Sequence, residues 1–269
     1  LHTGKKENLE EVLEKIEFYN EDIRNISKLE SILKDVDGIF HEAALTLVQE
    51  SFEKQKEYFD VNVKGTENIF KIAKKYEKKV VYASSSSIYG NTKVIPIKEN
   101  FERKPINPYG QTKLEDEFLA EKYREEGVSI IGLRYFNIFG KGQTGSYAGV
   151  ITQFMNKVFE KKELQINGDG EQVRDFIHVS DVAQANLSAM ESKTEFGFFN
   201  IGTGEMTSIK SLAGTMIKLS NEKLGLKFNS SLKGDVKLSL ADIIKTEKEL
   251  GWKYRIGLKE GLKQLFQEW

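Results

Sequence analysis

The feature that most constrains the fold of this chain is a regular alternation of short apolar runs with longer amphipathic stretches. Apolar runs at 16–23, 36–44, 80–86 and 129–140 predict β-strands, and the last run is apolar almost throughout. Continuous apolar character is typical of a strand that is covered on both faces, as in a parallel sheet. The alternation therefore predicts an α/β protein with a doubly wound parallel sheet of the Rossmann type.

Two long amphipathic stretches between these runs predict helices. The first covers about 51–76 and carries an apolar stripe at helical spacing. The second covers about 108–126, and its start is marked by Asn107, a good N-cap, and by Pro108 in the first turn. After residue 140 the alternation is less regular. Strands are predicted there at 164–168 and 196–204, and helices near 149–161, 178–190, 208–220, 241–250 and 257–268.

Composition excludes several classes of protein. The chain has 269 residues, no cysteine and a net charge of −1 at pH 7. Disulfides, thiolate catalysis and a general attraction to nucleic acid or to anionic membranes are therefore not expected. No apolar run reaches the ~18–20 residues that are needed to span a bilayer, so we expect a cytoplasmic protein. The three histidines show no metal-ligand spacing, and no metal site is predicted.

Tyr109 and Lys113 lie four residues apart at the start of the predicted 108–126 helix, so their side chains share one helix face. A tyrosine has a pKa near ~10, which is too high for a base at neutral pH, and a neighbouring ammonium group lowers it. The spacing alone is weak evidence, because Tyr89 and Lys93 have it too. That second pair lies in a segment of loop composition, which makes Tyr109 the stronger candidate. A packing tyrosine beside a solvent-facing lysine is the alternative.

Four consecutive serines, Ser84–Ser87, end the predicted strand at 80–86. In a parallel sheet, ligands bind beyond the carboxyl ends of the strands. We therefore expect these hydroxyl groups to share a cleft with the start of the 108–126 helix. A serine hydroxyl in that cleft can hydrogen-bond a substrate oxygen while Tyr109 takes or returns a proton.

Five segments resemble, in this order, the motifs of the extended short-chain dehydrogenase/reductases. They are VYASSSSIYG (81–90), NPYGQTK (107–113), LRYFNIFG (133–140), GDGEQVRDFIHVSDVAQAN (168–186) and NIGTG (200–204). Among these enzymes the chain is similar to the NAD-dependent epimerase/dehydratase family, and in particular to enzymes of the UDP-glucose 4-epimerase type. The resemblance is specific, because five separate motifs occur in order and cover nearly the whole chain.

The resemblance implies a role for each matched residue. It implies that Ser85, Tyr109 and Lys113 are catalytic, and that Lys113 also hydrogen-bonds the nicotinamide ribose. Contacts to the NAD cofactor are implied for Tyr109 and Lys113 and for Asp22, Ile23, Ala43, Ala44, Leu45, Asn62, Tyr135 and Phe136. Contacts to the nucleotide sugar are implied for Ser85, Ser86, Asn137, Arg174 and Ser239. Of these, Asn137 and Arg174 match diphosphate ligands, and a guanidinium group suits phosphate.

The resemblance also implies a division of the chain. Residues 1–142 form an NAD-binding Rossmann domain, to which 176–204 return. Residues 143–175 and 205–269 form a small α/β lobe that binds the substrate.

The start of the chain departs from the family pattern. The family begins with a strand, a G-x-x-G-x-x-G turn for the pyrophosphate and a second strand that ends in an acidic residue, and none of these precedes residue 1. The first ten residues, LHTGKKENLE, resemble the segment just after that acidic residue. We therefore expect a fragment without the N-terminal strand–turn–helix unit. The segment Gly140–Gly145 fits G-x-G-x-x-G, but it follows the tyrosine helix, so we expect a loop on the substrate side.

Three further departures concern the substrate. The related 4,6-dehydratases carry an Asp-Glu pair where this chain has Ser86 and Ser87, and hydroxyl groups cannot act as that acid–base pair. Ser239 falls where the family limits sugar size, and a small residue there is associated with N-acetylated sugars, although a polar residue at a helix entry is the alternative. Leu232 stands where relatives often have a nucleotide-binding arginine. Lys233 or Lys237 would have to replace that charge.

The predicted function is NAD-dependent 4-epimerisation of a UDP-hexose through a transient 4-keto intermediate. UDP-glucose and UDP-galactose are the expected substrates, with N-acetylated sugars as an extension. Two alternatives stay open: a nucleotide-sugar reductase or dehydrogenase, and a non-catalytic relative without a cofactor site. The resemblance also implies a homodimer, because the 51–76 and 108–126 helices match the pair that forms a two-fold four-helix interface in this family. Nucleic acid and membranes are not expected partners.

Overall fold

A computed structural model of the chain describes residues 4–143 and 149–269. The strands are β1 (Gly38–His41), β2 (Lys79–Ser85), β3 (Ile130–Tyr135), β4 (Asn137–Phe139), β5 (Leu164–Asn167), β6 (Val173–Arg174), β7 (Phe176–His178), β8 (Phe196–Ile201), β9 (Thr207–Ser208) and β10 (Leu226–Asn229). The α-helices are α1 (Ile26–Leu33), α2 (Val48–Glu53), α3 (Gln55–Tyr58), α4 (Gly65–Tyr76), α5 (Pro108–Glu125), α6 (Val150–Phe159), α7 (Val179–Glu191), α8 (Ile209–Ser220), α9 (Ile244–Leu250) and α10 (Leu258–Glu268). The predicted loop at Gly140–Gly145 and the segment LHTGKKENLE lie partly outside the described residues.

The centre of the fold is a parallel sheet in the order β1-β2-β3-β8. On one face, Val80, Tyr82 and Ile130 pack against α4 and α5. On the other face, Val81 and Ile131 pack against α7. Helices therefore cover both faces of the sheet, and the predicted α/β fold with a doubly wound parallel sheet is confirmed.

A second hydrophobic core lies outside the central sheet. It joins α6, α8 and α10 to β5 and includes Phe154, Met155, Leu212, Met216 and Leu262. Strand β10 pairs with β5 in parallel, and β6 pairs with β9 in an antiparallel two-residue ladder. The division of the chain into a cofactor domain and a substrate lobe stays a prediction, which this separate core supports.

The start of α5 has the cap that the sequence predicts. Asn107 has an extended backbone, and its side-chain oxygen accepts a hydrogen bond from the Gly110 amide at 2.7 Å. Pro108 occupies the first turn, where a missing N–H costs nothing. The cap fixes the position of the first turn, and Tyr109 lies in that turn.

The sequence prediction was wrong at two places. Residues 16–23 form no strand, because no described strand lies beside them to satisfy their backbone groups. The predicted 51–76 helix is broken at Lys54, whose backbone is not helical between α2 and α3, and a π-helical turn at Phe59–Lys64 joins α3 to α4. Such turns widen a helix locally and often occur at functional sites.

A buried cluster of charges connects α5 to the sheet. Arg134 on β3 donates two hydrogen bonds of 2.8 Å to the two carboxylate oxygens of Glu117 on α5. The Ser84 hydroxyl on β2 donates to the same carboxylate at 2.7 Å, and Arg103 donates to it at 3.0 Å. Because Arg134 and Glu117 are both buried, the helix cannot slide along the sheet without leaving charges unpaired.

Replacement of Arg134 tests this connection. Arg134→Met leaves the Glu117 carboxylate buried with fewer donors, so we expect the free energy of unfolding to fall by about 3–5 kcal/mol. The measurement is urea unfolding followed by circular dichroism. The control is Arg24→Met, which removes an ion pair to Asp22 whose two side chains are about half exposed and should cost less than about 1 kcal/mol. Equal losses in the two variants would contradict this account of the cluster.

Candidate active site

Two adjoining cavities open at the carboxyl ends of the central strands. The first, which we call the sheet cavity, has a volume of about 360 Å³ and includes Glu42, Ala44 and Lys113 in its wall. The second, the lobe cavity, has a volume of about 340 Å³ and includes Arg174 and Asp235. Both are lined by Ser85, Tyr109, Tyr135, Phe136 and Asn137. A group held at this common wall can therefore contact a molecule in either cavity.

Ser85, Tyr109 and Lys113 meet at the sheet cavity, although they come from two different elements. Ser85 is the last residue of β2, and Tyr109 and Lys113 lie one turn apart at the start of α5. Tyr109 is half-buried and its backbone amide donates to the Ser51 hydroxyl at 3.2 Å. The structure thus brings together the three residues for which the sequence predicts catalysis.

Lys113 is buried together with a counter-ion. Its ammonium group lies 3.2 Å from the carboxylate of Asp116, and both side chains are almost completely shielded from solvent. Burial lowers the pKa of Lys113, but the nearby Asp116, Tyr109 and Glu42 raise it, and the net result is a pKa above its ordinary value. Lys113 is therefore a cation at neutral pH, and a cation beside a phenol favours the phenolate.

The serines at the end of β2 form a short hydroxyl chain. The Ser85 and Ser87 hydroxyl oxygens lie 2.6 Å apart, and the Ser87 amide donates to the Ser85 oxygen at 3.2 Å. Ser86 and Ser87 line the lobe cavity beside Ser85. The wall of this cavity therefore offers several hydroxyl donors and acceptors to a hydroxylated ligand.

Asn62, for which the resemblance implies a contact to NAD, is held by hydrogen bonds to two neighbouring elements. It lies in the π-helical turn and is fully buried. Its amide oxygen accepts from the Leu45 amide at 2.8 Å, and its amide nitrogen donates to the Leu45 carbonyl and to the Thr112 hydroxyl, both at 3.0 Å. Asn62 and Leu45 thus hold the loop after β1 against α5, and the expected contact between Asn62 and the cofactor stays a prediction.

The other residues predicted to contact the cofactor from the first part of the chain are scattered. Ala44 lines the sheet cavity, whereas Ala43 and Leu45 do not. Asp22 is exposed and accepts hydrogen bonds from the side chain of Arg24, and this interaction lowers the pKa of Asp22 to about 2. Ile23 packs against Gly65, where an added Cβ would lie 2.5 Å from its side chain. Asp22 and Ile23 therefore lie outside both cavities.

Tyr135 and Phe136 lie where β3 bends into β4. The Tyr135 hydroxyl donates to the Glu42 carboxylate at 3.0 Å and accepts from the Asn186 amide at 2.8 Å. Burial raises the pKa of Glu42, although its hydrogen bond to Tyr135 lowers it. The sequence prediction missed Glu42, but its place near the carboxyl end of the strand predicted at 36–44 could have indicated it.

The lobe cavity holds the predicted nucleotide-sugar residues Ser85, Ser86, Asn137, Arg174 and Ser239. Arg174 is buried and forms an ion pair with the Asp235 carboxylate. Burial lowers the pKa of Arg174, and the neighbouring Asp235 carboxylate offsets only part of this effect. Leu232 also lines this cavity, and neither Lys233 nor Lys237 does. Lys233 lies over the Phe52 ring at 4.6 Å, so it does not replace the missing arginine in this conformation.

Two further polar residues are structural. The Tyr89 hydroxyl donates to Asn200 and accepts from Arg134, both at 2.7 Å, so Tyr89 belongs to the buried charge cluster and not to a tyrosine–lysine pair.

Asp175 was missed by sequence reasoning. It is fully buried and accepts hydrogen bonds from the Thr203, Gly204 and Ala241 amides and from the Thr203 hydroxyl. These bonds fix the residue that follows Arg174.

Comparison with known proteins decides the family. A family model described as the NAD dependent epimerase/dehydratase family matches residues 1–202. The chain belongs to the NAD-dependent epimerase/dehydratase family. A protein of Methanocaldococcus jannaschii with the provisional name UDP-glucose 4-epimerase is 38% identical over 274 residues, which cover 98% of this chain and 87% of the relative.

Solved structures of family members have the same fold. A UDP-glucose 4-epimerase from Thermotoga maritima, solved with UDP-glucose, has a TM-score of 0.94 and 33% identity over 100% of this chain and 89% of its own. A UDP-N-acetylglucosamine 4-epimerase from Methanobrevibacter ruminantium, solved with UDP-N-acetylmuramic acid, has a TM-score of 0.95 and 33% identity over 99% of this chain and 87% of its own. These two are epimerases that act on UDP-sugars.

The described site fits the cofactor of the family. The sheet cavity lies at the carboxyl ends of parallel strands, where dinucleotides bind, and contains a buried ammonium group and hydroxyl donors. The sequence contains no G-x-x-G-x-x-G segment, the glycine-rich pattern that cradles a pyrophosphate. Within the described residues, no group of three or more acidic or histidine side chains could hold a metal ion. Among the same residues, no helix has the length and apolar character needed to cross a membrane.

Proposed function

We propose that the chain catalyses 4-epimerisation of a UDP-hexose with NAD as cofactor. The observation that carries the proposal is the position of Ser85 and Tyr109 at the wall that the two cavities share, with Lys113 in the wall of the sheet cavity one turn of α5 after Tyr109. A UDP-sugar in the lobe cavity and a dinucleotide in the sheet cavity would then both lie beside the same phenol.

Each residue has a defined part in this proposal. Tyr109 removes the proton of the sugar 4-hydroxyl, and the Lys113 cation, one turn further along the same helix, offsets the negative charge of the base. Ser85 donates a hydrogen bond to the same sugar oxygen, and Lys113 also binds the nicotinamide ribose. Arg174 and Asn137 bind the diphosphate. NAD, when bound, supplies the hydride acceptor and the hydride donor at C4, so a 4-keto sugar is the expected intermediate.

Replacement of the phenol tests this assignment. Tyr109→Phe removes the group that takes the proton and leaves the ring in place. We expect the rate of interconversion between UDP-glucose and UDP-galactose to fall by about 10²–10⁴-fold, with UDP affinity unchanged within about twofold. The assay supplies NAD at saturating concentration, and the two sugars are resolved by chromatography.

The assay has a matched control and two informative failures. Tyr254→Phe removes a phenol that bonds to Glu205, away from both cavities, and should leave the rate unchanged. Unchanged turnover in Tyr109→Phe would remove Tyr109 from the mechanism. Stoichiometric consumption of NADH by the unaltered chain would instead identify a reductase.

Ser239 concerns the choice of sugar. It is buried in the wall of the lobe cavity, and its amide donates to the Val173 carbonyl at 3.1 Å. We propose that this small side chain leaves room for an N-acetyl group. Ser239→Tyr should lower kcat/KM for UDP-N-acetylglucosamine by at least about tenfold and that for UDP-glucose by less than about threefold, since a ring would fill the space. Equal losses for both sugars, measured side by side, would contradict the proposal.

We propose that the chain forms a homodimer through the helices around α5. Exposed aromatic side chains, Phe59 and Phe118, lie on the π-helical turn and on α5, two elements that pack against each other. Exposed apolar surface of this kind is typical of protein–protein interfaces.

Sedimentation equilibrium tests the dimer. The unaltered chain should sediment as a dimer, and the double variant Phe59→Glu/Phe118→Glu should sediment as a monomer because charges would be buried in the interface. The control is Phe228→Glu, which alters an equally exposed aromatic residue on β10 and should leave the dimer intact. A monomeric unaltered chain at 50 μM or so would rule out the proposed interface.

A further inference from the structure

A buried carboxylate beside Lys113 is not used by the mechanism. Asp116 lies on α5, three residues after Lys113, and is fully buried. One of its oxygens, Oδ2, lies 3.2 Å from the Lys113 ammonium nitrogen. The other, Oδ1, is buried without a hydrogen-bond partner among the described residues. A carboxylate in this state is costly to bury, so its presence calls for a function.

Several polar and charged groups face this ion pair from the surrounding elements. They are Tyr109 and Glu117 on α5, His41 and Glu42 at the end of β1, Thr66 on α4 and Tyr82 on β2. Burial and Lys113 together lower the pKa of His41 to about 3, so His41 is neutral. Burial raises the pKa of Tyr82 far above its ordinary value, so Tyr82 is neutral too. Asp116 is thus the carboxylate in direct contact with the ammonium group among the described residues.

The cost of burying an ammonium group decides what Asp116 does. Full burial alone can lower the pKa of a lysine by about 3–5 units, which would make it neutral near physiological pH. A neutral amine does not stabilise a phenolate. A carboxylate in contact with the ammonium group offsets the loss of solvent, and this is the arrangement that Asp116 provides.

We propose that Asp116 is a positioning residue that keeps the buried Lys113 protonated and holds its ammonium group beside Tyr109. The proposal rests on the proposed function, because it gives Asp116 its part through the Tyr109–Lys113 pair. Asp116 itself does not line either cavity and touches neither reactant.

The isosteric variant Asp116→Asn removes the charge and keeps the shape. Burial has the largest effect on the pKa of Lys113 and lowers it, and in the variant the charge of Asp116 no longer offsets this effect. The pKa of Lys113 should therefore fall below its ordinary value. Burial raises the pKa of Asp116 to about 7 in the unaltered chain. Below that pH both proteins lack the charge on residue 116 and should have similar rates. Above it they should diverge, and at pH 9 the variant should epimerise at least about tenfold more slowly.

A measurement without turnover separates this proposal from the proposed function. Lysines labelled with ¹³C at Cε are titrated by NMR, and Lys113→Met assigns the signal. In the unaltered chain Lys113 should stay protonated to at least about pH 10, and in Asp116→Asn it should titrate at least about one unit lower. If neither protein epimerises while both titrations behave as expected, the ion pair stands and the proposed function fails.

Other outcomes overturn the proposal itself. A Lys113 signal that titrates below pH 9 or so in the unaltered chain would overturn it, and this result does not require the variant to fold. The proposal would also be overturned if Lys113 titrated at the same pH in the unaltered chain and in Asp116→Asn, or if the two proteins had the same pH–rate profile. The control is Asp181→Asn, which alters another buried aspartate that accepts from the Arg255 and Ile256 amides. It should lower the stability of the fold and leave the Lys113 titration unchanged.

Discussion

The packing of α5 on the central sheet depends on the buried pairing of Arg134 with Glu117. This interaction fixes the position of α5 along β2, because the Ser84 hydroxyl on β2 donates to the same Glu117 carboxylate. Ser84 directly precedes Ser85, and Glu117 lies one helical turn after Lys113. The distance between the serine and the tyrosine–lysine pair is therefore fixed by charges that lie beneath the site, outside the two cavities.

Much of this architecture could be predicted from the sequence. Apolar runs that are buried on both faces predicted β2, β3 and β8, and the Asn107-Pro108 pair predicted the start of α5 to the residue. The meeting of Ser85 with Tyr109 and Lys113 followed from the rule that the carboxyl ends of parallel strands share one edge. These predictions held because each depends on local pattern and on sheet topology, not on a particular side-chain partner.

The rest depended on partners that a sequence does not display. An Asn in an amphipathic stretch gives no sign that a π-helical turn will bury it against Leu45 and Thr112. Residues 16–23 are apolar enough for a strand, yet a strand also needs a neighbour. In the sequence, Asp116 is only a polar residue of a predicted helix, and the packing of α5 against α4 and β2 makes it a buried counter-ion for Lys113.

Asp175 has a mechanical consequence for the whole molecule. Its four hydrogen bonds run to the turn after β8 and to residue 241 in the C-terminal part of the chain, while its carbonyl accepts from the Asn137 amide. A joint of this kind resists bending, because opening it would strip a buried carboxylate of all its donors at once. A hinge at this point is therefore disfavoured, and the loop around Leu232 and Asp235 is a more exposed part of the rim of the lobe cavity.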